Sequence, residues 1–259
     1  MTVIDSIILG IVEGITEFLP VSSTGHLILT SSLLGIQQTD IHKAFEVSIQ
    51  LGSILAVIFI YYEKIFHSKE LWKRLIIAFL PTGALGFILY KLIKSLFSPV
   101  ITSIMLIIGG IIFILVELFY KEKEHHLADV EKIPYTKAFL IGVFQSLAMI
   151  PGTSRSGATI IGGLLLGLKR KTAAEFSFLL AVPTMIVATT YDTLKHINEY
   201  HFDNWIILGT GFITAFIFAL ITIKLFLRFI STHNFIPFGI YRIIIGILFL
   251  VLLEKGLIS

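Results

Sequence analysis

Six long apolar runs leave this chain few folds to choose from. They are VSIQLGSILAVIFIYY (47–62), LIIAFLPTGALGFILY (75–90), VITSIMLIIGGIIFILVELFY (100–120), FLLAVPTMIVATTY (178–191), WIILGTGFITAFIFALITIKLFL (205–227) and FIPFGIYRIIIGILFLVLL (235–253). Each, with its flanks, is near the ~20 residues that carry a helix across a bilayer core. Composition agrees, since 56% of the 259 residues are hydrophobic and 14% charged, where a soluble domain carries about 25% charged residues. Tyr61, Tyr62, Trp72, Tyr90, Tyr120, Tyr191 and Trp205 punctuate the ends of the runs, where headgroups belong. The expectation is one all-α integral membrane domain over residues 1–259. The basic balance, +3 at pH 7, reads as loops on a membrane face and gives no argument for nucleic acid. Cysteine is absent, which excludes disulfides and thiolate metal sites. MTVIDSIILGIVEG has neither a basic leader nor a small-residue cleavage site, so no removable signal peptide is expected.

Two further segments fit a simple crossing badly. Residues 3–35 and YTKAFLIGVFQSLAMIPGTSRSGATIIGGLLLGL (135–168) are apolar runs broken in the middle by Pro, Gly, Ser and Thr. Either half alone is too short to span. The two resemble each other: Gly10 matches Gly142, Glu13 falls opposite Gln145, Pro20 nearly opposite Pro151, and Gly25 opposite Gly157. The match continues in FEVSIQLGSILAV (45–57) and FSFLLAVPTMIVA (176–188). Internal duplication follows, with one repeat over about 1–120, a second over about 135–259 and a linker over about 121–134. The expected architecture is six transmembrane helices plus two re-entrant broken-helix hairpins.

Three crossings separate the hairpins, so the second half is inverted relative to the first. Loop charge assigns the faces. Lys64, Lys69, Lys73, Arg74, Lys121, Lys123, Lys132, Lys137, Lys169, Arg170, Lys171, Lys224 and Arg228 fall on one side. The other side has Lys43, Lys91, Lys94, Lys195 and Lys255, while Arg155 and Arg242 lie within segments. The richer side is expected to be cytoplasmic and both termini outside. Broken hairpins entering from opposite faces should meet near the midplane. Ser22, Ser23, Thr24, Gly25 and His26 would then lie close to Thr153, Ser154, Arg155, Ser156 and Gly157.

Glu13 and Glu17 are one helical turn apart and share a face. Two carboxylates in an apolar setting stay together by binding a cation, Mg²⁺ or Ca²⁺, or by sharing a proton; the alternative is a watery helix edge. PVSSTGH and PGTSRSG read as starts of half-helices with a Ser or Thr cap, offering free N–H groups and a positive dipole to an anion, or serving as caps alone. Arg155 suits bidentate phosphate binding, and its plainer role is pairing with Glu13 or Glu17. His26 is a candidate nucleophile, general base or general acid, or a buried histidine satisfied by hydrogen bonds. KEKEHHLADVEK (121–132) reads as a solvated loop. Together these residues point to an anionic phosphate substrate with a lipid tail.

EGITEFLPVSSTGH (13–26) and PGTSRSGATIIGG (151–163) resemble the two signatures of bacterial undecaprenyl-diphosphatase, the bacitracin-resistance type of polyprenyl pyrophosphate phosphatase. The similarity extends through FEVSIQLGSILAV, AAEFSFLLAVPTM and PFGIYRIIIG, nearly the whole chain. The resemblance implies hydrolysis of undecaprenyl diphosphate to undecaprenyl phosphate, which recycles the carrier for peptidoglycan and other envelope polymers. It implies a divalent cation on Glu13 and Glu17, a site opening to the outer face of the cytoplasmic membrane, and bacitracin competing by sequestering the substrate. It makes Glu13, Glu17, Ser23, His26 and Arg155 catalytic, with Ser22, Thr24, Gln50, Ser154, Ser156 and Thr159 in support. A homodimer stays open. Lipid phosphatases of the phosphatidic-acid type place a second histidine shortly after the arginine, whereas SGATIIGGLLLGL follows Arg155 here. A polyprenyl-phosphate flippase is the rival reading. A structural membrane partner would leave Glu13, Glu17 and Arg155 unexplained.

Overall fold

A computed structural model describes residues 1–37, 39–196 and 205–258. The described chain is helical, and its one extended pairing is an isolated bridge between Leu127 and Leu168. In chain order the helices are α1 Val3–Thr16, α2 Ser23–Leu33, α3 Asp40–Ile60, α4 Tyr62–His67, α5 Lys69–Ile88, α6 Tyr90–Ser95 and α7 Pro99–Phe119. They continue with α8 Tyr135–Ser146, α9 Arg155–Leu165, α10 Arg170–His196, α11 Trp205–Ile230 and α12 Ile236–Glu254.

All six apolar runs lie on helices. Among the described residues, five helices are long and apolar enough to cross a membrane: α5, α7, α10 over Arg170–Thr190, α11 and α12. The remaining run lies on α3, whose apolar stretch, Phe45–Ile60, is shorter. The outward surface fits lipid: Phe59, Phe87, Phe119, Ile206, Ile213 and Leu225 are exposed, a display that a water-facing monomer rarely makes. Side chains of both halves fill one interior, as where Phe18 meets Phe178 edge to face at 5.2 Å between centroids.

The broken segments form two pairs of short helices. α1 has 14 residues and α2 11; α8 has 12 and α9 11. At 1.5 Å per residue each reaches about 16–21 Å, short of a ~30 Å hydrocarbon core. Thr2 caps α1 in a capping box with Asp5, and the helix gives way to a turn through Pro20, which lacks an N–H. α8 runs into a 3₁₀ turn, Leu147–Met149, before Pro151.

Helix pairing is reciprocal. α1 packs along α11 and α8 along α5, while α7 pairs with α12 and α3 with α10. The glycines at matched positions allow the close approach: a Cβ on Gly10 would lie 2.7 Å from the Gly211 carbonyl oxygen, and one on Gly142 would overlap the Ala78 carbonyl. At one end of the bundle Lys64 pairs with Glu175, Arg74 donates to Glu70 and to the Ile133 carbonyl, and Arg170 pairs with Glu117. The segments around 64–74, 117–137 and 164–175 therefore gather on one face, as the loop-charge argument requires of the richer side.

Candidate active site

The two breaks meet. α2 and α9 begin at matched serines, Ser22 and Ser154, which are the non-glycine residues with positive φ among those described, at 72° and 74°. Each serine caps its own helix, accepting from the backbone N–H of Gly25 at 3.4 Å and Gly157 at 3.1 Å. Backbone strain of this kind persists where the surroundings over-determine it, often at functional sites. Ser156 crosses between the breaks by donating to the Leu19 carbonyl at 2.8 Å, and its hydroxyl lies 3.1 Å from that of Ser154.

Arg155 and Ser23, the first residues of the two half-helices, converge on one carboxylate. Ser23 Oγ donates to Glu17 Oε2 at 2.6 Å, and Arg155 Nη2 donates to Glu17 Oε1 at 2.6 Å. Arg155 Nη1 is held by the Ser177 carbonyl at 2.9 Å, and Thr159 donates to Ser177 Oγ at 2.6 Å. The plainer expectation for Arg155, a carboxylate partner, is thus met by Glu17. Yet Arg155 Nε is buried without a partner, as are both oxygens of Glu13 and the Thr153 hydroxyl. Buried polar atoms normally find partners, so unmet donors and acceptors on the residues at the two breaks are consistent with a place for a ligand.

A cavity of about 250 Å³ adjoins this point. Of the sequence candidates, Glu17, Ser22, Ser23, Thr24, Gln50, Ser154 and Arg155 line it. Glu13, Gly25, His26, Thr153, Ser156, Gly157 and Thr159 belong to the supporting structure behind the wall. Glu13 is wholly buried, and the charges acting on it are those of Glu17, Glu46 and Arg155. Its two unshared oxygens suit a hard divalent cation. Among the described residues no three His, Cys, Asp or Glu side chains gather to hold a metal. A cation on Glu13 and Glu17 would therefore take its other ligands from phosphate oxygens and water, the usual habit of Mg²⁺.

His26 is not among the residues lining the cavity. Its Nδ1 lies 2.8 Å from the Ser22 carbonyl, which only accepts, so Nδ1 carries the proton and Nε2 accepts from Tyr241 Oη at 2.8 Å. The two rings are stacked within 6° of parallel.

Several contributors went unmarked in the sequence. Gln145, the counterpart of Glu13, donates to Thr82 at 3.0 Å and accepts from Thr184 at 3.4 Å, and all three line the cavity with Phe97, Met149 and Met185. Polar residues inside apolar helices were the available signal. Glu46 brings a third carboxylate from α3 and pairs with His42 at 3.2 Å. Arg242, fully buried on α12, reaches both breaks.

The family model described as bacitracin resistance protein BacA matches residues 6–248. The chain belongs to the BacA family. Among its relatives, a protein of Persephonella marina named undecaprenyl-diphosphatase is 72% identical over 96% of this chain and 98% of its own length. Proteins of the same name from Sulfurihydrogenibium sp. and Wolinella succinogenes are 66% and 60% identical, covering 96% and 98% of this chain and 98% and 99% of their own lengths. The BacA match takes in both breaks and α12 as far as residue 248, so every residue of the site falls within it.

Proposed function

We propose that this BacA-family protein hydrolyses undecaprenyl diphosphate to undecaprenyl phosphate and inorganic phosphate, with Ser23 as nucleophile and Glu17 as its general base. The relatives' names supply the substrate. The Arg155–Glu17–Ser23 chain, all three residues lining the cavity and Arg155 Nε left without a partner, supplies the chemistry. Ser23 Oγ forms a bond to the terminal phosphorus while its proton passes to Glu17 Oε2 across 2.6 Å. The bond from that phosphorus to the bridging oxygen breaks, and its electron pair leaves with undecaprenyl phosphate. Water then bonds to the phosphorus of the phosphoserine, the bond from phosphorus to Ser23 Oγ breaks with its electron pair on Oγ, both water protons stay on the released phosphate, and Glu17 returns its proton to Oγ.

Arg155 has its Nε free for a phosphate oxygen, and α2 and α9 both start at the two breaks, where helix N-termini favour an anion. Glu13 and Glu17 would hold a divalent cation, which supplies charge neutralisation to the diphosphate when bound. His26 takes a supporting role, since both its nitrogens are engaged and it holds the carbonyl of the strained Ser22 turn. A direct attack by water is the competing route.

The architecture we infer is a single membrane domain built from two inverted repeats, about 1–120 and 135–259 with a linker over about 121–134. It has six spans, α3 among them, and two re-entrant hairpins, α1–α2 and α8–α9. Reciprocal helix pairing, matched glycines and matched strained serines support it. Loop charge supports termini on the outside, and the family resemblance supports a site opening to the outer face. Bacitracin resistance follows from substrate sequestration by the antibiotic, which the enzyme relieves by consuming the diphosphate.

The paired broken helices also suit a flippase. Purified protein in detergent separates the readings, because hydrolysis needs no second compartment. Phosphate release from undecaprenyl diphosphate by folded wild type is expected; its absence with every cation supplied would favour transport.

A further inference from the structure

We propose that Arg242 is a positioning residue whose guanidinium ties the two chain breaks together and so sets the spacing between Ser23 and Arg155. Its Nη1 donates to the Pro20 and Thr153 carbonyls, each at 3.0 Å, and its Nη2 to the Gly152 carbonyl at 2.9 Å and the Met105 carbonyl at 3.1 Å. Nε donates to the Leu106 carbonyl at 3.3 Å. A guanidinium has five N–H donors, and all five are used on backbone.

Carbonyls released at a chain break have no helical partner, and at membrane depth they must be satisfied from within the protein. Pro20 stands three residues before Ser23, and Thr153 two before Arg155. One side chain from a third helix, α12, therefore sets both breaks against α7. The division of labour between the two arginines follows. Arg155 lines the cavity with Nε unspent, whereas Arg242 is fully buried with nothing left to offer a phosphate. α7 is shaped for the brace: a Cβ at Gly109 would overlap Arg242 Nη2 and come within 2.7 Å of Cζ. Lysine could not replace it, since three donors on one nitrogen cannot span carbonyls on both sides.

The inference rests on the reading that the two breaks form one site, and its first measurement needs no substrate. The cysteine-free chain accepts spin labels at Leu33→Cys and Leu165→Cys, exposed ends of α2 and α9. Pulsed electron resonance should give one narrow distance in the otherwise wild-type protein. Arg242→Lys should broaden or shift it. Gly109→Ala, which keeps the arginine but fills its slot, should do the same, and it tests the idea should the lysine variant fail to fold. Both should lower kcat at least tenfold with KM within about threefold, and the double variant should lose no more than the worse single one. Ile65→Ala, which opens a hole on α4 against α3 and α5, should keep the narrow distance. An unchanged distance in both folded variants, or kcat within twofold of wild type for Arg242→Lys, would overturn the brace. Altered distances in a protein that never releases phosphate would uphold the brace and remove the phosphatase reading instead.

Discussion

Glu17 is the joint on which the account turns, and Glu17→Gln loads it in two separable ways. The carboxylate accepts from Ser23 and from Arg155, both at 2.6 Å, with the pair's side chains only 6% and 12% exposed. The amide offers one acceptor oxygen where there were two and no basicity. Loss of a general base costs on the order of 10²–10⁴ in rate, or about 3–5 kcal/mol of barrier. Separately, removing one partner of a buried pair strands the other charge, at about 3–5 kcal/mol of stability. Arg155→Gln should strand Glu17 in the same way. The double variant Glu17→Gln/Arg155→Gln strands neither, so its destabilisation should fall short of the sum by about 1–3 kcal/mol, while its turnover stays as low as that of the worse single variant. Denaturation in mild detergent reads the first quantity and phosphate release the second. Additive destabilisation would refute the coupling, and Glu17→Gln with turnover within threefold of wild type would refute the base.

The remaining expectations are brief. Ser22→Ala keeps the positive φ of 72° and loses the cap to Gly25, and should destabilise by about 1 kcal/mol; Ser22→Gly relieves the strain and should be close to neutral in the same melt. Gly142→Ala drives a methyl into the Ala78 carbonyl and should cost about 1–3 kcal/mol, with the melting temperature as readout. Glu13→Gln should weaken the binding of Mg²⁺, seen as a rise in the cation concentration for half-maximal rate, and chelation should slow wild type more than tenfold. Cation-independent turnover would remove the metal from the scheme.

Much of this was legible because membrane depth makes polar residues conspicuous. Glu13, Glu17 and Arg155 stood out against apolar runs, Pro20 and Pro151 marked the breaks, and the serines after them announced caps. The offset between the two broken segments predicted the matched glycines. What could not be read came from distant chain. Arg242 lies 222 residues from Pro20 yet hydrogen-bonds to its carbonyl, and nothing local distinguished a brace from an unassigned cation. Tyr241 likewise holds His26 Nε2, and His26 is not among the cavity-lining residues, although the family resemblance made it catalytic with Ser23. Thr82 and Thr184 are ordinary helix residues until α5, α8 and α10 bring them to Gln145.

The most direct test of the serine mechanism is the stereochemical course at phosphorus, followed with substrate whose terminal phosphate is made chiral by sulfur and oxygen isotopes. Attack by Ser23 followed by water is two displacements, and the account predicts retention of configuration. Inversion would mean that water attacks the diphosphate directly, and Ser23 would then be a ligand rather than the nucleophile.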